Sequence, residues 1–134
     1  MKIVRYEDVD GKVGYAAQQP DGSAKRINGD IYGSFQVMEE TATVSRLLAP
    51  VMPVQIFGIG LNFRHHATET NTPVPKFPIL FMKGINTVQN PGEPIFIPTV
   101  LPSHEVDYEC ELAVVIGKKC KNVTREKALD YVLG

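Results

Sequence analysis

The sequence predicts a mostly β protein of α+β class, and three observations carry that prediction. Short runs of strand composition alternate with glycines through the first third of the chain. Seven prolines between Pro73 and Pro102 exclude a long helix from the middle. The strongest strand run, Val106 to Ile116, with an unbroken apolar second half, dominates the last part of the chain. The chain has 134 residues, 43% hydrophobic and 22% charged, the balance of a globular protein rather than a disordered one.

Taken in order, KIVRY and KVGYAA have strand composition, and Asp10-Gly11 and Asp21-Gly22 are hairpin-turn dipeptides. Residues 1–48 therefore read as a small β-meander, a domain with no cluster of reactive groups. Pro50 and Pro53 bracket a connector into a second region, residues 49–134. There PVQIFGIG reads as a buried strand and LNFRHHATET as a loop or one to two helical turns. In the proline-rich stretch only PILFMK (78–83) and PIFIP (94–98) suit strands. VDYECELAVVI (106–116) is the strongest strand signal, its second half suited to burial on both faces. TREKALDYVLG reads as a helix with Thr124 as N-cap, Glu126 in the first turn and Gly134 as C′ residue. A doubly buried strand needs neighbours on both edges, and the residues after the connector supply few. The sequence thus leads us to expect the fold to continue beyond Gly134.

Composition excludes several functions. A net charge of −1 leaves no basic excess for a phosphate backbone, so nucleic acid is not an expected partner. No apolar stretch is long enough for a membrane helix. MKIVRYEDVD has three acids and no apolar h-region, so a cytoplasmic location is expected. Cys110 and Cys120 fit neither a disulfide framework nor zinc-site spacing and read as two thiols, and the sequon Asn122-Val123-Thr124 lacks a secretory context. Gly58-Ile59-Gly60 lacks the third glycine and helix of a dinucleotide fingerprint.

Two constellations could carry chemistry. In a strand, Asp107, Glu109 and Glu111 share one face, where they either stay solvated or share a hard divalent cation. On a helical turn, His66 and Glu69 stand at i, i+3, where a carboxylate can orient an imidazole for general-base work; the alternative is a polar surface turn. Lys83 ends an apolar run, either as a solvated terminus or as a cation for a substrate carboxylate.

Together, GLNFRHHATETNTPVPKFPILFMK and VDYECELAVVIGKKCKNVTREKALDYVLG closely resemble the fumarylacetoacetate hydrolase family, in its bacterial branch of acylpyruvate hydrolases, hydroxyheptadienedioate isomerases and decarboxylases. The likeness covers roughly residues 47–134, with residues 1–46 like the small N-terminal β-domain many members carry. It implies a mixed β-sandwich or roll with the active site at one mouth, and a homodimer. Glu109 and Glu111 match the family's E-x-E ligands for Mg²⁺ (or Mn²⁺ or Ca²⁺). A third ligand, an aspartate, is expected beyond Gly134, and two carboxylates alone should hold Mg²⁺ weakly. His66 and Glu69 match the pair that activates water, while Lys83 and Asn62 match substrate-binding positions. His65 stands where the family commonly has aspartate and competes with His66 for the base role.

The function implied is divalent-metal-dependent hydrolysis of C–C bonds in small 1,3-dicarbonyl or 2-oxo acids through a metal-stabilised enolate. Isomerase or decarboxylase chemistry through the same enolate is the alternative. A catalytically inert chain lacking the downstream aspartate, or a β-rich binding module with a solvated acidic strand, stands against both.

Overall fold

The first two turns are built by aspartate and glycine. Asp8 accepts the backbone N–H groups of Asp10 and Lys12 on its Oδ1, both at 2.9 Å, and Gly11 follows at φ 78°. Asp21 repeats the device one turn later, accepting the backbone N–H of Ser23 at 2.9 Å and its hydroxyl at 2.7 Å, with Gly22 at φ 87°. Those two bonds from Ser23 hold the Asp21 carboxyl below the usual carboxylate range. The contribution of this turn is therefore present above the ordinary aspartate pKa and lost as pH falls through the depressed one. Left-handed backbone at the glycines reverses the chain without a Cβ penalty.

These turns organise a five-stranded antiparallel sheet. The computed structural model describes residues 1–134, with β1 Lys2–Glu7, β2 Val13–Gln18, β3 Ala24–Gly29, β4 Phe35–Thr41 and β5 Arg46–Leu48. The strand order is β4-β3-β2-β1-β5: four strands run as a meander, and β5 returns to the free edge of β1. Between Lys25 and Ile27 the β3–β4 register shifts, their partners on β4 being Thr41 and Val37. The core is small. Tyr6, 2% exposed, packs with Ala16, Ala24 and Ala42, and Gly14 on β2 leaves room for the Tyr6 ring across the ladder.

Gly29 is the one glycine that both conformation and space require. Its φ is 109°, and a Cβ there would come 2.5 Å from the Ser34 carbonyl oxygen. We predict that Gly29→Ala destabilises the sheet by about 1–3 kcal/mol for the backbone conformation alone. The check is urea unfolding followed by tyrosine fluorescence. An unchanged midpoint would mean that β3 and β4 are not joined as described.

The second region holds less regular structure. β6, Ile56–Gly60, pairs antiparallel with β7, Ile79–Lys83, as a two-stranded ribbon in which Gly58 faces Phe81; that ring lies directly over Gly58 and fills the place of a Cβ. Between them lies one short helix, α1, Arg64–Glu69, which buries Ala67. Both strands fall where apolar runs predicted them. PIFIP forms none.

Two expectations are corrected. Val106–Ile116 is not a strand: it is largely exposed, and only Ile116 makes a bridge, to Val132. Strand propensity describes side chains, whereas a ladder requires a neighbouring backbone, and no backbone hydrogen bond reaches 106–114. Nor do residues 124–134 form an α-helix. A 3-10 helix spans Arg125–Tyr131, and the chain extends from Val132, where Leu133 N–H donates to the Val115 carbonyl and Val115 N–H to that of Gly134, each at 2.8 Å. This pairing takes the last residues of the expected helix. Thr124 makes no side-chain capping bond; the Glu126 carboxyl lies below the usual glutamate range, chiefly through its own backbone N–H and then through the nearby Thr124 hydroxyl.

The two regions are tied by Arg46. Its guanidinium donates to Glu7 Oε2 at 3.0 Å and to Glu93 Oε1 at 3.1 Å. Asn90 completes the knot, donating to the same Glu93 oxygen at 3.1 Å and accepting from Ala49 N–H at 3.0 Å. The Glu7 carboxylate, and behind it Glu93, raises the Arg46 pKa. No helix is long and apolar enough to cross a membrane.

Candidate functional site

The candidate residues come from three pieces of the second region. β6 leads into Leu61, whose φ of 52° places a bulky side chain in left-handed backbone, a conformation that costs roughly 1–2 kcal/mol. This turn sets Asn62 and Phe63 ahead of α1. Phe63 supplies no side-chain cap, so the helix is held by its backbone and by threonines: Thr68 Oγ1 donates to the Arg64 carbonyl at 3.0 Å and Thr70 Oγ1 to that of His66 at 2.9 Å. A six-residue helix is marginal by itself, and burial of Ala67 anchors it.

His66 projects toward the acidic segment. Its Nδ1 lies 3.5 Å from Glu109 Oε1, with the two side chains 38% and 55% exposed. That distance is a loose contact rather than a tight hydrogen bond, and it carries charge on both sides only when the ring is protonated. Glu69 follows one turn later on the same helix, yet the carboxylate that His66 approaches is that of Glu109, and no such contact joins it to Glu69. The i, i+3 spacing gave no hint of this partner, because Glu109 comes from a distant segment. Lys83, at the end of β7, holds its Nζ 5.8 Å from the centroid of the Phe81 ring, within cation–π range. Asn62, His65 and Glu111 are exposed, and no ion pair or side-chain hydrogen bond engages them.

The structure thus brings His66 and Glu109 together, and no ion pair joins either of them to Glu111, Glu69 or Lys83. No group of three or more His, Cys, Asp or Glu side chains gathers as a metal cage would require. Glu109 and Glu111 are hard oxygen donors, the kind that Mg²⁺, Mn²⁺ and Ca²⁺ take, and both are exposed. In kind they fit a divalent ion; in number they fall short of its six to eight ligands, which leaves positions for water, substrate or other protein oxygens. The Arg46–Glu7–Glu93–Asn90 knot is the polar cluster that sequence reading missed. Its members are scattered over β1, β5 and the turn before Pro94, and no spacing rule connects them.

A family model described as Fumarylacetoacetate (FAA) hydrolase C-terminal matches residues 55–134. The chain is 47% identical over 107 residues to a caffeoylpyruvate hydrolase of Neonothopanus nambi, a match that spans 75% of this chain and 37% of that one. It is 51% identical over 89 residues to the mitochondrial oxaloacetate tautomerase fahd2 of Xenopus laevis, spanning 66% of this chain and 27% of the relative. Among solved structures, the 2-hydroxyhepta-2,4-diene-1,7-dioate isomerase of Mycobacterium marinum superimposes with a TM-score of 0.78 at 29% identity, covering 100% of this chain and 51% of the isomerase. The chain spans about half the length of that structure and less of the two sequence relatives.

Proposed function

This chain belongs to the fumarylacetoacetate hydrolase family, and from that premise we propose that it serves divalent-metal-dependent hydrolysis of C–C bonds in small 1,3-dicarbonyl or 2-oxo acids. The observation that carries this reading is the approach of His66 to Glu109, a candidate base beside a candidate metal ligand, from two segments far apart in sequence. The names of the relatives support the substrate class: caffeoylpyruvate and oxaloacetate both carry a 2-oxo acid, a bidentate oxygen ligand for a hard cation. A cytoplasmic homodimer is part of the same proposal.

In this reading Glu109 and Glu111 hold the ion, Mg²⁺ or alternatively Mn²⁺ or Ca²⁺. Bound there, it supplies Lewis-acid stabilisation of the negative charge that grows on the substrate oxygens. The residues of the chain do the rest. Neutral His66 accepts a proton from the water that attacks the carbonyl distal to the carboxylate. The carboxylate near its Nδ1 steadies the imidazolium that forms, as general-base catalysis requires. The C–C bond then breaks, and the electron pair leaves with the pyruvate half as an enolate, which takes up a proton to give pyruvate. Lys83 supplies a cation for the substrate carboxylate, its ammonium steadied over Phe81. The Asn62 amide donates to a substrate oxygen from the turn ahead of α1. Glu69 remains a second carboxylate available to the His66 ring if α1 shifts on binding.

Isomerisation or decarboxylation is the second reading, favoured by the likeness to the M. marinum isomerase. There His66 moves a proton between carbons of the substrate and activates no water.

Incubation of the chain with acetylpyruvate, with Mn²⁺ and with excess chelator, followed by NMR, separates these outcomes. We expect acetate and pyruvate to accumulate with Mn²⁺ and to stop with chelator. Proton exchange or tautomerisation without acetate would transfer the assignment to the isomerase reading. Neither change, or hydrolysis indifferent to chelator, would overturn the metal-dependent reading.

A further inference from the structure

The sequence of β6 offers Phe81 two seats. β6 reads Ile56-Phe57-Gly58-Ile59-Gly60, so two glycines share one face of the strand. The Phe81 ring lies over Gly58, and Lys83, on the same face of β7, reaches back over that ring. A slip of two residues would carry Phe81 from Gly58 to Gly60 and leave every side chain on its own face. Alternation does not oppose the slip, because Ile79, Leu80, Phe81 and Met82 are apolar on both faces. Lys83 would then stand opposite Gly58 instead of Ile56, about 7 Å away along the strand.

What distinguishes the two registers lies outside the ribbon. Asn90-Pro91-Gly92-Glu93 is a tight turn, closed by the Glu93 N–H on the Asn90 carbonyl at 3.2 Å, with Gly92 at φ 79°. The turn sets the Asn90 and Glu93 side chains together, and the Asn90 amide donates to Glu93 Oε1 at 3.1 Å. Arg46 on β5 donates to the same oxygen, and the Asn90 amide oxygen accepts the Ala49 N–H. Ala49 is 5% exposed, and Arg5 donates to its carbonyl at 3.4 Å, so the connector is held from two sides. Arg46, Asn90 and Glu93 thus form a clasp between the N-terminal sheet and the segment that follows Lys83.

The clasp is in step with the ribbon. Ile56 and Lys83 form its last pair; Ala49 lies seven residues before Ile56, and Asn90 lies seven after Lys83. The two arms are therefore equal, and Asn90 meets Ala49 in the register that Ile56 and Lys83 already have. Within the arms nothing else keeps step. Pro50 and Pro53 interrupt one, a 3-10 turn at Ile85–Thr87 shortens the other, and no backbone hydrogen bond joins 50–55 to 84–89. A slip of two residues would draw Asn90 past Ala49 toward Val51 and take Glu93 from Arg46. Ion pairs as exposed as these contribute little to global stability. Between two registers of like packing, the same small difference decides which is populated.

We propose that Arg46, Asn90 and Glu93 are positioning residues: their clasp selects the register in which Phe81 covers Gly58, and so sets the place of Lys83. The N-terminal sheet thereby acts on the candidate site without touching it. The register is a property of the fold, whereas its effect on substrate rests on the role given to Lys83 above.

NMR of the chain reads the register without metal or substrate. In the wild type we expect the Phe81 ring to show contacts to the Gly58 α-protons and to shift them upfield. In Asn90→Ala and in Arg46→Met, those contacts should pass to Gly60 in about half of the molecules or more. The contact of Tyr6 with Gly14 reports that the N-terminal sheet is still folded. Glu93→Gln, which keeps the oxygen shared by Arg46 and Asn90, should slip less than Glu93→Ala. Gly60→Ala closes the second seat: a Cβ there comes no nearer than 3.4 Å to Ile79 in the observed register but would meet the Phe81 ring in the slipped one. Added to Asn90→Ala, it should return Phe81 to Gly58, which no repair of general stability would do. With Mn²⁺, KM for acetylpyruvate should rise by about twofold or more at unchanged kcat, in proportion to the fraction slipped. Phe81 contacts that stay on Gly58 in both variants overturn the proposal. So does loss of contact with both glycines that Gly60→Ala does not repair, because the clasp then only holds the ribbon together. Slippage at wild-type KM supports the clasp and removes Lys83 from the substrate site. Slippage in a chain that turns over nothing supports the clasp and counts against the hydrolase reading alone.

Discussion

Replacing either Glu109 or Glu111 by glutamine is expected to weaken Mn²⁺ binding by more than about 100-fold and to remove metal-dependent turnover with it. Changes to residues that merely orient metal ligands already cost about 10–100-fold, so loss of a ligand should cost more. Glutamine keeps the size and one oxygen but removes the charge, and charge is what a hard cation at a site of few ligands depends on. The fold should not respond. Glu109 is 55% exposed in its side chain and Glu111 is also exposed, so each substitution should alter stability by no more than about 0.5 kcal/mol. Calorimetric titration with Mn²⁺, beside a urea melt of each variant, reads both quantities. Wild-type affinity in either variant would remove that glutamate from the ligand set. Equal loss of affinity and of stability would mean that the residue acts on the fold.

The legible parts of this molecule are those whose causes are local. Asp10-Gly11 and Asp21-Gly22 declare their hairpins because side chain, backbone angle and turn lie within a few residues. β6 and β7 are readable as apolar runs, although nothing in them tells that Gly58 will lie beneath Phe81. Features that depend on distant neighbours were not legible. β5 is three residues long and exists because β1 offers it an edge. Residues 106–114 have the composition of a strand but pair with no other backbone, and composition cannot supply a partner. The segment 124–134 has helical spacing, yet Val132–Gly134 are drawn into pairing with Val115 and Ile116, and the helix tightens to a 3-10 form that ends at Tyr131. The site obeys the same division. Motifs singled out His66 and Glu109 separately, but their approach is a long-range fact, and helical spacing pointed His66 at Glu69 instead.

That difference makes His66 the second decisive position. His66→Ala is expected to lower acetylpyruvate hydrolysis by about 10²–10⁴-fold, the usual worth of a positioned general base. Mn²⁺ affinity should stay within a few-fold of wild type. The imidazole stands 3.5 Å from Glu109, too far for a tight hydrogen bond, and both side chains reach water, so its removal frees a carboxylate without stranding a buried charge. His66→Gln, which keeps a polar side chain but cannot accept and hold the proton, should be as slow as alanine. The neighbouring acids then identify which carboxylate serves the ring. Glu69→Gln should lower turnover by less than His66→Ala if Glu109 is the partner in the working enzyme. It should match His66→Ala if substrate binding turns the ring toward Glu69. A His66→Ala variant that hydrolyses at the wild-type rate would assign water activation elsewhere, with His65, exposed at the preceding position, the next residue to replace. A His66→Ala variant that binds Mn²⁺ far more weakly would make the imidazole a metal ligand and not a base. Rate and affinity therefore have to be measured on the same preparation.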